Sequence, residues 1–86
     1  MKNGLEIDED GDKLYYLNNK LHREDGPAVE YANGDKVWYQ HDQLHRVDGP
    51  AVELASGDKE WYYHGKRIDC SSQHMFERII NLLAFE

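Results

Sequence analysis

Two sets of residues have side chains suited to acid-base or metal chemistry: His22, Arg23 and Asp25, then His45, Arg46 and Asp48. Histidine titrates near neutrality and a neighbouring carboxylate tunes it, so the pair serves often as general acid and base or as metal ligand. The spacing points elsewhere. One catalytic constellation suffices for an enzyme, whereas these residues return at a fixed interval with Gly26 and Gly49, each time inside the string Leu-His-Arg-x-Asp-Gly-Pro-Ala. A recurring polar set is what a ladder of turn-holding ion pairs requires. A second group, Cys70 and His74 with His64, falls short of the four ligands of a closed zinc site. Gly11, Gly34 and Gly57 each stand alone and do not open a helix, unlike a phosphate loop. No catalytic residue, metal or cofactor is therefore expected, and a metal-dependent hydrolase using the repeated His and Asp residues is the enzymatic rival.

The elements that must position these residues follow from the interval, which is 23 residues. Residues 21–43 read LHREDGPAVEYANGDKVWYQHDQ and residues 44–66 read LHRVDGPAVELASGDKEWYYHGK, identical at 16 of 23 positions, so one structural unit is used again. Gly-Asp-Lys occurs at 11–13, 34–36 and 57–59, followed by Tyr15-Tyr16, Trp38-Tyr39 and Trp61-Tyr62. Residues 1–20 are thus expected to be a degenerate first copy acting as a cap, one residue shorter between Gly4 and Gly11 than its successor between Gly26 and Gly34. Ala28 to Ala32 and Lys36 to Gln40 alternate in character about Asn33-Gly34, a two-residue hairpin signal, and the second copy repeats this about Ser56-Gly57. Asp-Gly-Pro marks the bend between units.

After Tyr63 the pattern changes. Ser71 or Ser72 can cap a helix over 71–85, with Phe76, Ile79, Ile80 and Leu83 forming an apolar face widened by Met75 and Leu82. The expected fold is α+β in a single domain, 1–86: an antiparallel β-meander of about three 23-residue hairpin repeats and about six strands, with one C-terminal amphipathic helix packed on the sheet.

Charge and composition narrow the function. The net charge of −7 lies in residues 1–65, and no window carries the basic stripe that nucleic-acid binding needs, so direct contact with DNA or RNA is not expected. A single cysteine excludes an intrachain disulfide and suits a reducing compartment. With no apolar run near membrane-spanning length and no secretory pattern, a cytoplasmic location without membrane contact is the expectation.

Neighbouring strand residues point to opposite faces, so Tyr15, Trp38 and Trp61 share one face and Tyr16, Tyr39 and Tyr62 the other. The tryptophan row is assigned to the core. The tyrosine row, with Glu30, Glu53 and Glu60, is assigned to partner binding, because tyrosine is large, rigid and able to hydrogen-bond. His22, Arg23, Asp25, Gly26, His45, Arg46, Asp48, Gly49, Trp38 and Trp61 are assigned to holding the repeat. Specificity is expected where the copies differ: Glu24 against Val47, Tyr31 against Leu54, Val37 against Glu60, Gln40 against Tyr63.

The order of aromatic pair, turn, Leu-His-Arg, Asp-Gly-Pro-Ala, strand and Gly-Asp-Lys resembles MORN repeats, over roughly residues 11–83. More closely, it resembles His-Arg-x-Asp-Gly-Pro-Ala repeat proteins of bacteria, bacteriophages and giant viruses. The resemblance implies a twisted sheet used as a scaffold, without inherent enzymatic activity. It departs where MORN units carry glycine and this chain has Arg23 and Arg46, so lipid binding is not carried over. The expected function is that of a non-catalytic protein-binding module whose acidic face meets a basic surface; given the resemblance to bacteriophage proteins, the expected form is a phage-type inhibitor that occupies a basic nucleic-acid-binding surface of a host defence protein. The structural rival is self-assembly, as a homodimer through a sheet edge or the helix face near Phe85.

Overall fold

A computed structural model describes residues 1–83. The expected helix extension to residue 85 and the Phe85 contact lie outside the described residues. Ten strands precede one helix: β1 (Gly4–Ile7), β2 (Lys13–Leu17), β3 (Lys20–Leu21), β4 (Val29–Glu30), β5 (Lys36–Val37), β6 (Tyr39–Gln40), β7 (Gln43–Leu44), β8 (Val52–Glu53), β9 (Lys59–Tyr63), β10 (Lys66–Ile68) and α1 (Gln73–Leu83). The chain is therefore mostly open antiparallel sheet with a C-terminal helix, 40 × 30 × 17 Å in extent. The main sheet runs β1-β2-β4-β5-β8-β9-β10, with β3 also on β2, while β6 and β7 form a separate ribbon.

Ten strands replace the expected six because the central aromatic residue of a unit changes the partner of its strand. The Tyr15 N–H bonds the Ala28 carbonyl, while its own carbonyl accepts from the His22 N–H. Trp38 does the same with Ala51 and His45. One half of the strand thus pairs within its own hairpin and the other half with the next unit.

The turns also differ from expectation. At Asn33-Gly34 only the glycine is left-handed, and the bonds Gly34 N–H to Tyr31 C=O and Tyr31 N–H to Asp35 C=O close a longer loop, the type I turn with a glycine bulge. Two-residue turns with both residues left-handed lie instead at Asn18-Asn19, His41-Asp42 and His64-Gly65. Asn and Asp tolerate this conformation best among side-chain-bearing residues.

Two ladders fix the register, since directly paired residues share a face. One runs Ile7, Lys13, Glu30, Lys36, Glu53, Lys59 and alternates in charge over its last five members. The other runs Glu6, Leu14, Val29, Val37, Val52, Glu60, apolar inside and acidic at both ends. Slipping one residue would set lysine against valine and turn the valines outward, so both ladders specify one register. Val29 and Val37 are buried, as are Ala28 and Ala51.

The helix starts where Ser72 Oγ accepts the Met75 N–H at 3.2 Å, an N-cap that satisfies one of the free donors of the first turn. Phe76 is fully buried against Trp61 and Ile68, with Ile79, Ile80 and Leu83 packed around them. Met75 and Leu82, expected to widen this face, are instead exposed. The stripe that is covered packs on Trp61 and Tyr63 of β9 and Ile68 of β10.

Candidate functional site

Each Arg-x-Asp-Gly-Pro loop folds around its own arginine. Arg23 donates from Nε to Asp25 Oδ1 at 3.0 Å, and from Nη1 to the Pro27 carbonyl at 3.2 Å and Glu30 Oε2 at 3.4 Å. Arg46 repeats this with Asp48 at 2.9 Å, Pro50 at 3.0 Å and Glu53 at 2.6 Å. The guanidinium carbons lie 3.9 Å from the Tyr15 ring centre and 3.8 Å from that of Trp38, a cation-π stack that lysine's point charge would fit poorly. The glycines make room: a Cβ at Gly26 would fall 2.9 Å from Arg23 Cζ, and one at Gly49 would fall 2.5 Å from Arg46 Cζ.

The histidines connect neighbouring units. The Nδ1 of His22 accepts the His41 N–H at 3.0 Å, and that of His45 accepts the His64 N–H at 2.9 Å. With Nδ1 accepting, Nε2 is the ring nitrogen left to donate. Burial, and then the charge of His64, lower the His45 pKa from its ordinary 6.5. With Nδ1 occupied, the His22 ring tilted against His41 and the His45 ring stacked on His64, these histidines are placed for cohesion.

Asn3 extends the series without being a histidine: its side-chain oxygen accepts the Asn18 N–H at 2.9 Å. From Asn3 to Ile7 is four residue steps, where His22 to the equivalent Glu30 takes eight. Over this span the N-terminal segment is four residues shorter, and it has no arginine loop. Asp12 and Asp35 add a further rung by accepting the Ala32 and Ala55 N–H groups at 2.8 and 2.7 Å.

At the last unit the sequence changes and the contact persists in another form. Trp61 has no arginine over it; its indole N–H donates to Gln73 Oε1 at 2.8 Å, and the same amide donates to the Val47 carbonyl at 2.9 Å. Ile68 stands at the histidine position and packs on Phe76 instead of accepting a bond. Nothing in the repeat pattern pointed to Gln73 or Asn3. Asn3 was detectable only by pairing it with Asn18, as His22 pairs with His41.

The expected partner-binding residues do not form one patch. Glu30 and Glu53 belong to the charged ladder and turn to Arg23 and Arg46, whereas Glu60 lies on the opposite face with Tyr62 and accepts its hydroxyl at 3.2 Å. Tyr16, Tyr39 and Tyr62 are half-buried, and Trp61 is buried under α1 while Trp38 is half-covered. Burial raises the phenol pKa values of Tyr39 and Tyr62 above 10.0, helped by Tyr31 in the first and Glu60 in the second.

Between the two arginine loops lies a groove of about 480 Å³, walled by Arg23, Asp25, Trp38, His45, Arg46 and Asp48. Among the described residues, the one set of three candidate metal-ligand side chains is Asp8, Asp10 and Asp12, whose oxygens lie within 4.8 Å of one another. Asp8 Oδ1 accepts the N–H groups of Asp10 and Asp12, which shapes the β1–β2 turn. Cys70, His64 and His74 make no such set. Burial raises the Cys70 thiol pKa, which disfavours the reactive thiolate. No helix among the described residues is long and apolar enough to cross a membrane. Compared with known protein families, curated proteins and solved structures, the chain matches none.

Proposed function

We propose that the chain is a three-unit MORN-like repeat stack that binds a protein partner non-catalytically, occupying a basic surface that would otherwise hold nucleic acid, in the manner of a phage-type inhibitor of a host defence protein. One observation carries the reading: the residues best suited to chemistry are consumed in holding the sheet. The acceptor nitrogens of His22 and His45 are taken by backbone donors, and Arg23 and Arg46 are each held by two carboxylates, a carbonyl and an aromatic ring. Three rungs of one kind, from Asn3, His22 and His45, support the count of three units.

What remains for recognition is the tyrosine face with its terminal Glu6 and Glu60, on a chain of charge −7. Half-buried tyrosines beside carboxylates supply rigid contact area, and acidity speeds encounter with a basic partner. The test is capture from bacterial lysate on the immobilised chain, with duplex DNA or RNA as competitor and a Tyr62→Ala/Glu60→Lys variant as control. A protein that binds saturably, is displaced by nucleic acid and is lost with the variant supports the reading. Capture that ignores both competitor and variant overturns it.

A further inference from the structure

β1 is paired on one side only. The Tyr15 N–H and C=O turn toward Ala28 and His22, so β2 must meet β1 through the backbone of Leu14 and Tyr16. Their partners are Glu6 and Gly4, which places the even-numbered residues of β1 inward. The alternation holds at both ends: the Lys2 carbonyl accepts from Asn19, and the Asp8 N–H donates to Asp12. The N–H and C=O groups of Leu5 and Ile7 therefore point away from the sheet, and among the described residues no strand meets them. All four residues of β1 are exposed, including Leu5 at 48% and Ile7 at 62%.

An unpaired row of donors and acceptors is a template for another strand. We propose that this margin takes an extended, basic segment of a protein partner by strand addition. The proposal rests on the basic-partner reading above and names where that partner enters. Charge selects the occupant. Glu6, Asp8, Glu9 and Asp10 outnumber Lys2 along β1 and its turn, a net −3 over residues 1–10. A second copy pairing through the same edge would bring two such segments together, and like charges across strands repel. A strand with alternate lysine or arginine meets the opposite situation. Glu6 lies on the tyrosine face, while Leu5 and Ile7 lie on the face of Tyr15 and Lys13. The incoming strand would then set basic residues toward the tyrosines and apolar ones against Leu5 and Ile7, as main-chain bonds supply affinity and alternate side chains supply specificity.

The probe is acetyl-Val-Lys-Val-Lys-Val-Lys-amide, titrated into the isotope-labelled chain and followed by amide NMR and hydrogen exchange. Saturable shifts at Leu5 and Ile7, with slowed exchange of both amides, are expected. The Val-Glu counterpart should bind about tenfold more weakly or not at all. A Lys-Gly peptide of equal charge but low strand propensity should bind about fivefold more weakly. Ile7→Pro deletes an outward-facing N–H that no internal bond uses, and should weaken binding about fivefold. Shifts confined to Tyr39 and Tyr62, with Leu5 and Ile7 exchange unchanged, would overturn strand addition while leaving the basic-partner reading intact. No shift anywhere at millimolar peptide also sinks it, as does a dimer by light scattering whose Leu5 and Ile7 amides are already protected without peptide.

Discussion

His22 and His41 are joined twice: the Nδ1 of His22 accepts the His41 backbone N–H at 3.0 Å, and the two rings lie 4.4 Å apart. The His22 side chain is buried, so its removal would leave a backbone donor unsatisfied beside a cavity. His22→Ala should cost about 1–3 kcal/mol of stability, read as a shift of the urea midpoint. His22→Asn should recover part of that loss, because Asn3 makes the same bond to Asn18. Equal losses in the two variants would show that ring packing, and not the acceptor, holds the units together.

The second histidine makes cohesion depend on pH. Burial, and after it His64, set the folded pKa of His45 below the ordinary 6.5. The unfolded chain then binds the proton more readily, so this contribution is complete above pH 6.5 and declines as pH falls toward the lower folded value. Protonation also deprives the His64 N–H of its acceptor, beside His64 and Tyr63, the rings that contact His45. The stability difference between the unaltered chain and His45→Gln should shrink between about pH 7.5 and about pH 5.5. Urea melts at both pH values would contradict this if the difference stayed constant.

Much of the fold was legible because identity at period 23 ties side-chain pattern to strand pattern. The Val and Lys/Glu alternation of the two full copies reads directly as the paired ladders. The partner switch at Tyr15 and Trp38 was not legible, since one extended segment looks alike whether it pairs along one neighbour or two. The turns at His41-Asp42 and His64-Gly65 hid behind the stronger Asn33-Gly34 signal, although all six residues of the left-handed pairs recur at the same place in each unit. Glu30 and Glu53 could be counted as surface acids from sequence, but their ion pairs depend on a loop fold that brings Arg23 and Arg46 back over their own strands.

Gly49 is closely fitted. An added methyl would meet Arg46 Cζ at 2.5 Å and Nη2 at 2.8 Å, and Arg46 cannot withdraw without losing Asp48, Glu53 and the Trp38 ring. Gly49→Ala should therefore destabilise by about 1–3 kcal/mol, as overpacking does, and should shift the Trp38 indole resonance as Arg46 is displaced from the ring. At Gly57 a Cβ meets nothing within 4 Å, but φ is +99°, so Gly57→Ala should lose stability through backbone strain while that indole resonance stays in place.

The helix closes the sheet through one residue above all. Phe76 of α1 is fully buried against Trp61 and Ile68, whereas Leu82 on the same helix is 72% exposed. Truncating a buried phenylalanine to alanine costs about 3–5 kcal/mol, a large part of the stability of a domain this small. Phe76→Ala should thus expose Trp61, seen as a red shift in its fluorescence in a Trp38→Phe background, and should break its bond to Gln73. Leu82→Ala should leave both the melting curve and the Trp61 emission close to those of the unaltered chain, because little apolar area is lost. If the two substitutions destabilised equally, the helix would be held by its outer surface, and Met75 and Leu82 would have to be packed against the sheet.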